Sequence, residues 1–139
     1  DSPFFDIQAT SIENNAVVTV ATQTGMFAYP AVSGFQSSSR ERQYQVAYLQ
    51  SIFPSQSETS RYRLVVMDRD GSNRRTLFPA NDAPGLEPQT PAWAPDPIDG
   101  QSGYFVAVVY QGNLWLLDTG NAQAYQVTGD GLVTRIDWK

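Results

Sequence analysis

The sequence predicts an all-β fold made of repeated antiparallel units, and three observations carry that expectation. Its apolar runs are short and end at turn formers. Helical periodicity is nearly absent. Ordered segments recur along the chain at intervals suited to a repeated sheet. Of the 139 residues, 41% are hydrophobic and only 17% charged, with seven Phe, seven Tyr and three Trp available for a core. An average soluble domain is about 25% charged. Ten Gly and nine Pro punctuate the chain, and aromatic or β-branched runs cut by Gly, Pro, Asn and Asp read as strands and turns.

The expected strands, in order, are Ala16–Ala21, Tyr44–Ile52, Tyr62–Met67, Tyr104–Tyr110 and Asn113–Leu117, with a weaker one at Ala124–Val127. Val, Tyr and Leu dominate the inner ones, as a pleated, buried surface favours. Gln111-Gly112 separates two of these runs and reads as a tight hairpin turn. Asp118-Thr119-Gly120-Asn121 separates the next pair.

Internal similarity sets the organisation. Tyr29-Pro30-Ala31-Val32-Ser33-Gly34 parallels Thr90-Pro91-Ala92-Trp93-Ala94-Pro95, and Tyr44-Gln45-Val46-Ala47-Tyr48 parallels Tyr104-Phe105-Val106-Ala107-Val108. Arg63-Leu64-Val65-Val66-Met67-Asp68 then aligns with Asn113-Leu114-Trp115-Leu116-Leu117-Asp118, and Arg75-Thr76-Leu77 with Tyr125-Gln126-Val127-Thr128. Arg135-Ile136-Asp137-Trp138 restarts the Pro-Ala-Trp element. Pro91-Ala92-Trp93 to Ile136-Asp137-Trp138 is 45 residues, against the ~40–45 of a four-stranded β-propeller blade. Pro30 to Pro91 is 61 residues, and the surplus falls in two polar stretches, Gln36–Arg42 and Ser55–Ser60, read as loop insertions. Ala80–Gln89, rich in Pro and Gly, is a third loop.

The expected architecture is therefore four-stranded antiparallel blades of a β-propeller, about two to three of them, in an incomplete ring. Residues 1–29 form a partial blade or irregular β segment. Residues 30–90 form a blade with insertions, 91–134 a second blade, and 135–139 the first strand of a next one. A ring needs at least about four blades, so the expectation is either a fragment of a longer protein, folded as an open blade stack, or self-association of copies through open blade faces or edges. The chain starts at Asp1, without an initiator Met or a signal peptide, and reads as a mature or excised segment.

These segments resemble a known family. Val65-Val66-Met67-Asp68-Arg69-Asp70-Gly71-Ser72-Asn73, followed by Arg75-Thr76-Leu77, resembles a signature segment of TolB-like propeller repeats. Pro91-Ala92-Trp93-Ala94-Pro95-Asp96 resembles their Pro-Ala-Trp strand, and Gly112-Asn113-Leu114-Trp115-Leu116-Leu117-Asp118 through Thr128 resembles the strand pair that follows it. The similarity spans roughly residues 29–139; the first copy departs from it, since Val32-Ser33-Gly34 lacks the Trp and the Pro-Asp-Gly turn. The repeat-signature residues are Pro91, Ala92, Trp93, Pro95, Asp96, Asp68, Asp70, Gly71, Asn73, Asp118 and Trp138. The Trp would pack between neighbouring blades, Pro95-Asp96 would join the two innermost strands, and Asp68 and Asp118 would cap the turns that follow them.

What the resemblance implies is a non-catalytic interaction module of a bacterial envelope or secreted protein, periplasmic or extracellular, that binds protein partners. Similar repeats also occur in the propeller portions of serine peptidases and in ligand-sensing domains of surface signalling proteins.

Composition narrows the chemistry. Nine basic residues are scattered among fourteen acidic ones for a net charge of −5, which argues against nucleic-acid binding. The absence of Cys and His removes thiolate catalysis, Ser-His-Asp triads and imidazole metal sites. No apolar run approaches the ~20 residues of a membrane helix, so no membrane insertion is expected. Asp68-Arg69-Asp70-Gly71 opens like a calcium loop, but the twelfth position is Pro79 and not a bidentate Glu. A tight turn accounts for those residues better, and neither metal nor cofactor is expected. The carboxylates Asp68, Asp70, Asp82, Glu87, Asp96 and Asp99 fall in turns, and no nucleophile elbow or phosphate-binding Gly loop is present. Strand aromatics Tyr48, Tyr104, Phe105, Tyr110 and Trp115 read as packing. Loop aromatics Phe35, Phe53 and Phe78 are the better interface candidates.

Overall fold

A computed structural model describes residues 5–34, 44–96 and 104–138. The fold is all-β, with antiparallel sheets of two and four strands and no closed barrel. The strands are β1 (Ile7–Thr10), β2 (Val17–Ala21), β3 (Ala31–Val32), β4 (Gln45–Ser51), β5 (Tyr62–Asp68), β6 (Arg75–Phe78), β7 (Ala92–Trp93), β8 (Phe105–Tyr110), β9 (Asn113–Asp118) and β10 (Ala124–Gln126). β1 and β2 form a hairpin, β3-β4-β5-β6 a middle sheet, and β7-β8-β9-β10 a last sheet. One short 3-10 turn, Pro54–Gln56, interrupts the β4–β5 connection.

The two larger sheets share a strand order and closely matched registers. Ala31 pairs with Ala47 and Val32 with Val46 in the middle sheet; Ala92 pairs with Ala107 and Trp93 with Val106 in the last. Val46 faces Met67 across β4–β5, and Val106 faces Leu117 across β8–β9.

Alternation along β4 and β5 divides the middle sheet into two buried faces, because successive side chains of a strand point to opposite sides. Val46, Tyr48, Val65 and Met67 pack with Val20 and Ala21 of the hairpin. Ala47, Leu49, Leu64 and Val66 pack with Val106, Val108, Tyr110 and Leu117 of the last sheet. Leu49, Leu64 and Val66 are wholly removed from solvent, and each contributes about 1.5–3 kcal/mol of hydrophobic stabilisation. This interior is the larger of the two.

Aromatic rings complete it. Phe78, at the end of β6, meets Tyr110 edge-on with ring centroids 5.0 Å apart and Trp115 at 5.0 Å. Phe78 is buried, so it belongs to the core and not to an interface loop. A register shift between Leu64 and Val65 brings it opposite Leu64 and turns its ring inward. Phe53 remains exposed, and Phe35 lies outside the described residues.

Turn geometry follows the residue types. Gln111 and Gly112 both have positive φ, 51° and 76°, the geometry that matches the twist of a two-residue hairpin. The β5–β6 turn closes through Gly71 N–H to Asp68 C=O and Asp68 N–H to Ser72 C=O, each 2.9 Å. The segment after β10 folds back across the last sheet, where Val133 N–H donates to Gly112 C=O at 2.8 Å.

Candidate functional site

At the end of the sheets where β8 turns into β9, three connections converge. The residues before β5 supply Arg61, the β6–β7 connection supplies Pro84 to Thr90, and the returning segment supplies Val133 to Ile136. Between them lies a groove of 890 Å³, within the ~300–1,000 Å³ of small-ligand sites.

Its walls are tied down by tertiary hydrogen bonds. Leu86 exchanges two backbone hydrogen bonds with Tyr62, at 2.9 and 2.7 Å, and is fully buried. The Tyr110 hydroxyl donates to Pro84 C=O at 2.8 Å. Gln89 grips β8 with its side-chain amide: Oε1 accepts from Val109 N–H at 2.7 Å and Nε2 donates to Val109 C=O at 2.8 Å. β7 has only two residues, so a side chain does for Val109 what a longer strand would have done. Arg61 forms an ion pair with Glu87, both largely exposed.

The chemistry on offer is ion pairing and hydrogen bonding. Glu87 is the groove's one carboxylate among the described residues, and Arg61 occupies it. Arg135, the second guanidinium of the lining, has no ion-pair partner among the described residues.

Arg135 and Ile136 also line a second cavity, a trough of 470 Å³ on the outer face of the last sheet. Its floor is Ala92, Ala107, Leu114, Leu116 and Val127, and Trp138 stands at its side. Ala107, Leu114 and Leu116 come from alternate positions of β8 and β9, the side that faces away from the middle sheet.

No family model matches this chain, and no curated protein or solved structure does either.

The signature residues fall in three places. Pro91 is buried before β7, Ala92 and Trp93 form β7, and Pro95 and Asp96 are exposed beyond it. Pro97 and Asp99 lie outside the described residues. The Trp93 indole packs against the core between the two larger sheets, and its Nε1–H donates to Ala31 C=O at 2.9 Å.

Asp68, Asp70, Gly71 and Asn73 are grouped in the β5–β6 turn. Asn73 Nδ2 donates to Asp68 Oδ2 at 2.7 Å, and the Ser72 hydroxyl donates to Asp70 Oδ1 at 2.5 Å. The Ser72 side chain and then its backbone N–H hold the Asp70 carboxyl below its usual range. The Arg74 guanidinium ties the turn to the hairpin through Val20 C=O at 2.8 Å. Among the described residues, no three acidic groups come together as a metal would require.

Asp118 ends β9 fully buried, where its Oδ1 accepts from Gly120 N–H at 2.8 Å. Trp138 is the only signature residue beside either cavity other than Ala92, its neighbour in the trough. The groove residues Arg61, Gln89 and Arg135 carry no repeat signature. The one local signal for them is the density of Pro and Gly in the Ala80–Gln89 connection. Among the described residues, no helix is long and apolar enough to cross a membrane.

Proposed function

We propose that this chain is a non-catalytic interaction module, two four-stranded blades and parts of others from an incomplete TolB-like propeller, which binds protein partners at the groove. The carrying observation is the pair of equivalent sheets stacked face to face, with Trp93 of one bonded to Ala31 of the other. Ala31 and Ala92 hold the same register position in their sheets, and Trp138 flanks Ala92 in the trough. Trp138 is thus set beside the first strand of the preceding sheet, as Trp93 is, which supports reading residues 135–138 as the opening strand of a next unit. The hairpin β1–β2 takes the part of a partial blade on the other side.

A rigid stack of sheets with connections gathered at one end suits recognition, because loops on a fixed scaffold present side chains without ordering cost. The groove lining holds no acid–base pair for bond cleavage, and the chain has no His or Cys to supply one. The resemblance of the repeats to TolB-like propellers supports a reading of the module as one of the bacterial envelope or the cell exterior.

Site-specific photo-crosslinking tests the reading. A crosslinker at Gln111, beside the groove, is expected to trap a protein partner in the cell envelope, whereas one at Ile12 on the hairpin loop traps none. Efficient crosslinking from Ile12 alone, or hydrolysis of peptides or esters by the purified chain, would overturn it.

A further inference from the structure

An aspartate followed by glycine is open to a rearrangement of the main chain, because glycine offers its backbone nitrogen to the aspartate carboxyl with no side chain in the way. Two such pairs lie among the described residues, Asp70-Gly71 and Asp130-Gly131, and Asp99-Gly100 lies outside them. Both described glycines have positive φ, 87° and 72°. Their surroundings differ.

Asp70 is locked in place. Its Oδ1 accepts from the Ser72 hydroxyl at 2.5 Å and from Ser72 N–H at 3.0 Å. Gly71 N–H donates to Asp68 C=O at 2.9 Å, Gly71 C=O accepts from Arg74 at 3.3 Å, and the Val20 carbonyl crowds the glycine from the hairpin side. Swinging the Asp70 carboxyl onto the Gly71 nitrogen breaks both Ser72 bonds in a turn with little room to move. Ser72 also holds that carboxyl below its usual range, which leaves less of the protonated form from which water departs. Asp130 has a single tether among the described residues, from Leu132 N–H at 3.2 Å. Gly131 N–H rests on one side-chain acceptor, Asn113 Oδ1 at 3.0 Å, and nothing lies within 4 Å of the place of a Gly131 Cβ.

We infer that Asp130-Gly131 is a site of spontaneous aspartate-to-isoaspartate conversion that loosens the groove wall, and that the β5–β6 turn protects Asp70-Gly71 from the same change. The Gly131 nitrogen attacks Asp130 Cγ. A C–N bond forms, and the carboxyl O–H leaves as water with the amide proton, closing a five-membered succinimide. Water then opens the ring. Attack at the Asp130 main-chain carbonyl breaks its bond to the Gly131 nitrogen and leaves the chain running through the side-chain carbon, one methylene longer; attack at Cγ restores aspartate. One water is lost and one regained, with no change of oxidation state. The extra methylene falls where the returning segment is clipped to the β8–β9 turn. Gly131 C=O lies close against Gly112, Val133 N–H donates to Gly112 C=O at 2.8 Å, and the Thr128 hydroxyl shares Asn113 Oδ1 with Gly131 N–H. Gly112, Val133 and Thr134 line the groove, so a displaced Gly131 carries that wall with it. The conversion does not depend on what the groove binds, and its failure leaves the partner-binding reading untouched.

The test ages the intact chain in mildly acidic buffer of oxygen-18 water, then digests it with an endoprotease that cuts before aspartate and not before isoaspartate. Cleavage before Asp130 is expected to fade, with one heavy oxygen gained per ring opening. Cleavage before Asp70 persists, its conversion at least about tenfold slower because two hydrogen bonds must break first. Asp130→Glu, whose ring would have six members, stops the change at that position. Amide exchange at Val133 quickens in the aged wild-type chain and stays slow in aged Asp130→Glu. Equal rates at Asp70 and Asp130 overturn the proposal, as does an Asp130 that stays intact while an end-capped peptide of residues 127–133 converts. Unchanged protection of Val133 in a converted chain overturns the loosening of the groove wall.

Discussion

Trp93 and Ala31 are 62 positions apart in the sequence, yet the indole Nε1–H of one donates to the carbonyl of the other at 2.9 Å. This bond joins the first strands of the two larger sheets, and the indole plane adds apolar contact to the same seam.

Trp93→Phe keeps most of the ring and deletes the donor, leaving the Ala31 carbonyl without its partner. The expected loss is about 1 kcal/mol in denaturant unfolding. Trp93→Ala removes the packing as well and is expected to cost about 3 kcal/mol. Equal losses for the two variants would show that the hydrogen bond contributes nothing.

Two glycines are held by close backbone approach. A Cβ on Gly71 (φ +87°) would sit 2.4 Å from the Val20 carbonyl oxygen, and one on Gly112 (φ +76°) 2.2 Å from that of Gly131. Alanine at either position combines a positive-φ penalty with a backbone clash, for an expected loss of about 2 kcal/mol or more. Gly129, where nothing lies within 4 Å of a Cβ, is the control and should shift stability by less than about 0.5 kcal/mol as alanine. Thermal melts of the three variants decide the matter.

Gln89→Ala strips both hydrogen-bond partners from the Val109 peptide groups. The expected cost is about 2 kcal/mol, together with faster amide exchange at Val109 and a loosened groove wall. Exchange at Leu49, within the main core, should slow or quicken only with global stability. Protection at Val109 equal to wild type would refute this role for Gln89.

The Tyr48 hydroxyl is fully buried and has no hydrogen-bond partner among the described residues. Burial raises its pKa above the ordinary value, and the Arg74 guanidinium opposes that shift in part. The unfolded chain releases this proton first, near pH 10. The contribution is therefore complete below pH 10 and is lost as pH rises toward the folded pKa. Tyr48→Phe should raise stability at neutral pH by about 1 kcal/mol and flatten the alkaline limb of the stability curve. Asp70 acts in the opposite sense: its lowered pKa gives a contribution present above about pH 4 and lost as pH falls through the folded value. Asp70→Asn removes that acid sensitivity. Stability measured between pH 2 and 11 for both variants checks the signs.

The sequence made the long strands legible because each is a run of apolar residues with buried neighbours. β4, β5, β8 and β9 fall within one or two residues of the expected runs. β1 did not stand out, since Ile7–Thr10 is short and nearly all exposed. β3 and β7 have two residues each, too few for any periodicity, and only the repeated Pro-Ala element marked them. Of the groove, only the Pro- and Gly-rich Ala80–Gln89 connection was marked in the sequence. Arg61, Gln89 and Arg135 meet through hydrogen bonds and crossings between distant segments, which leave no local pattern. Phe78 was misplaced for a related reason: a one-residue irregularity in β6 pairing decides which way its ring points.

The middle sheet is apolar on both faces, and this bears on how its strands find their alignment. In a sheet with one wet face, a slip of one residue puts oily groups into water and is corrected at once. Here a slip would merely exchange Val46 and Tyr48 for Ala47 and Leu49, one greasy set for another. Alignment must then be enforced at the strand tips. The Asp68–Asn73 turn locks one end, and the Tyr62 hydroxyl, latched to Ser57 C=O at 2.7 Å, locks the other. Errors of assembly should therefore arise from damage at these two latches sooner than from changes in the oily strands between them.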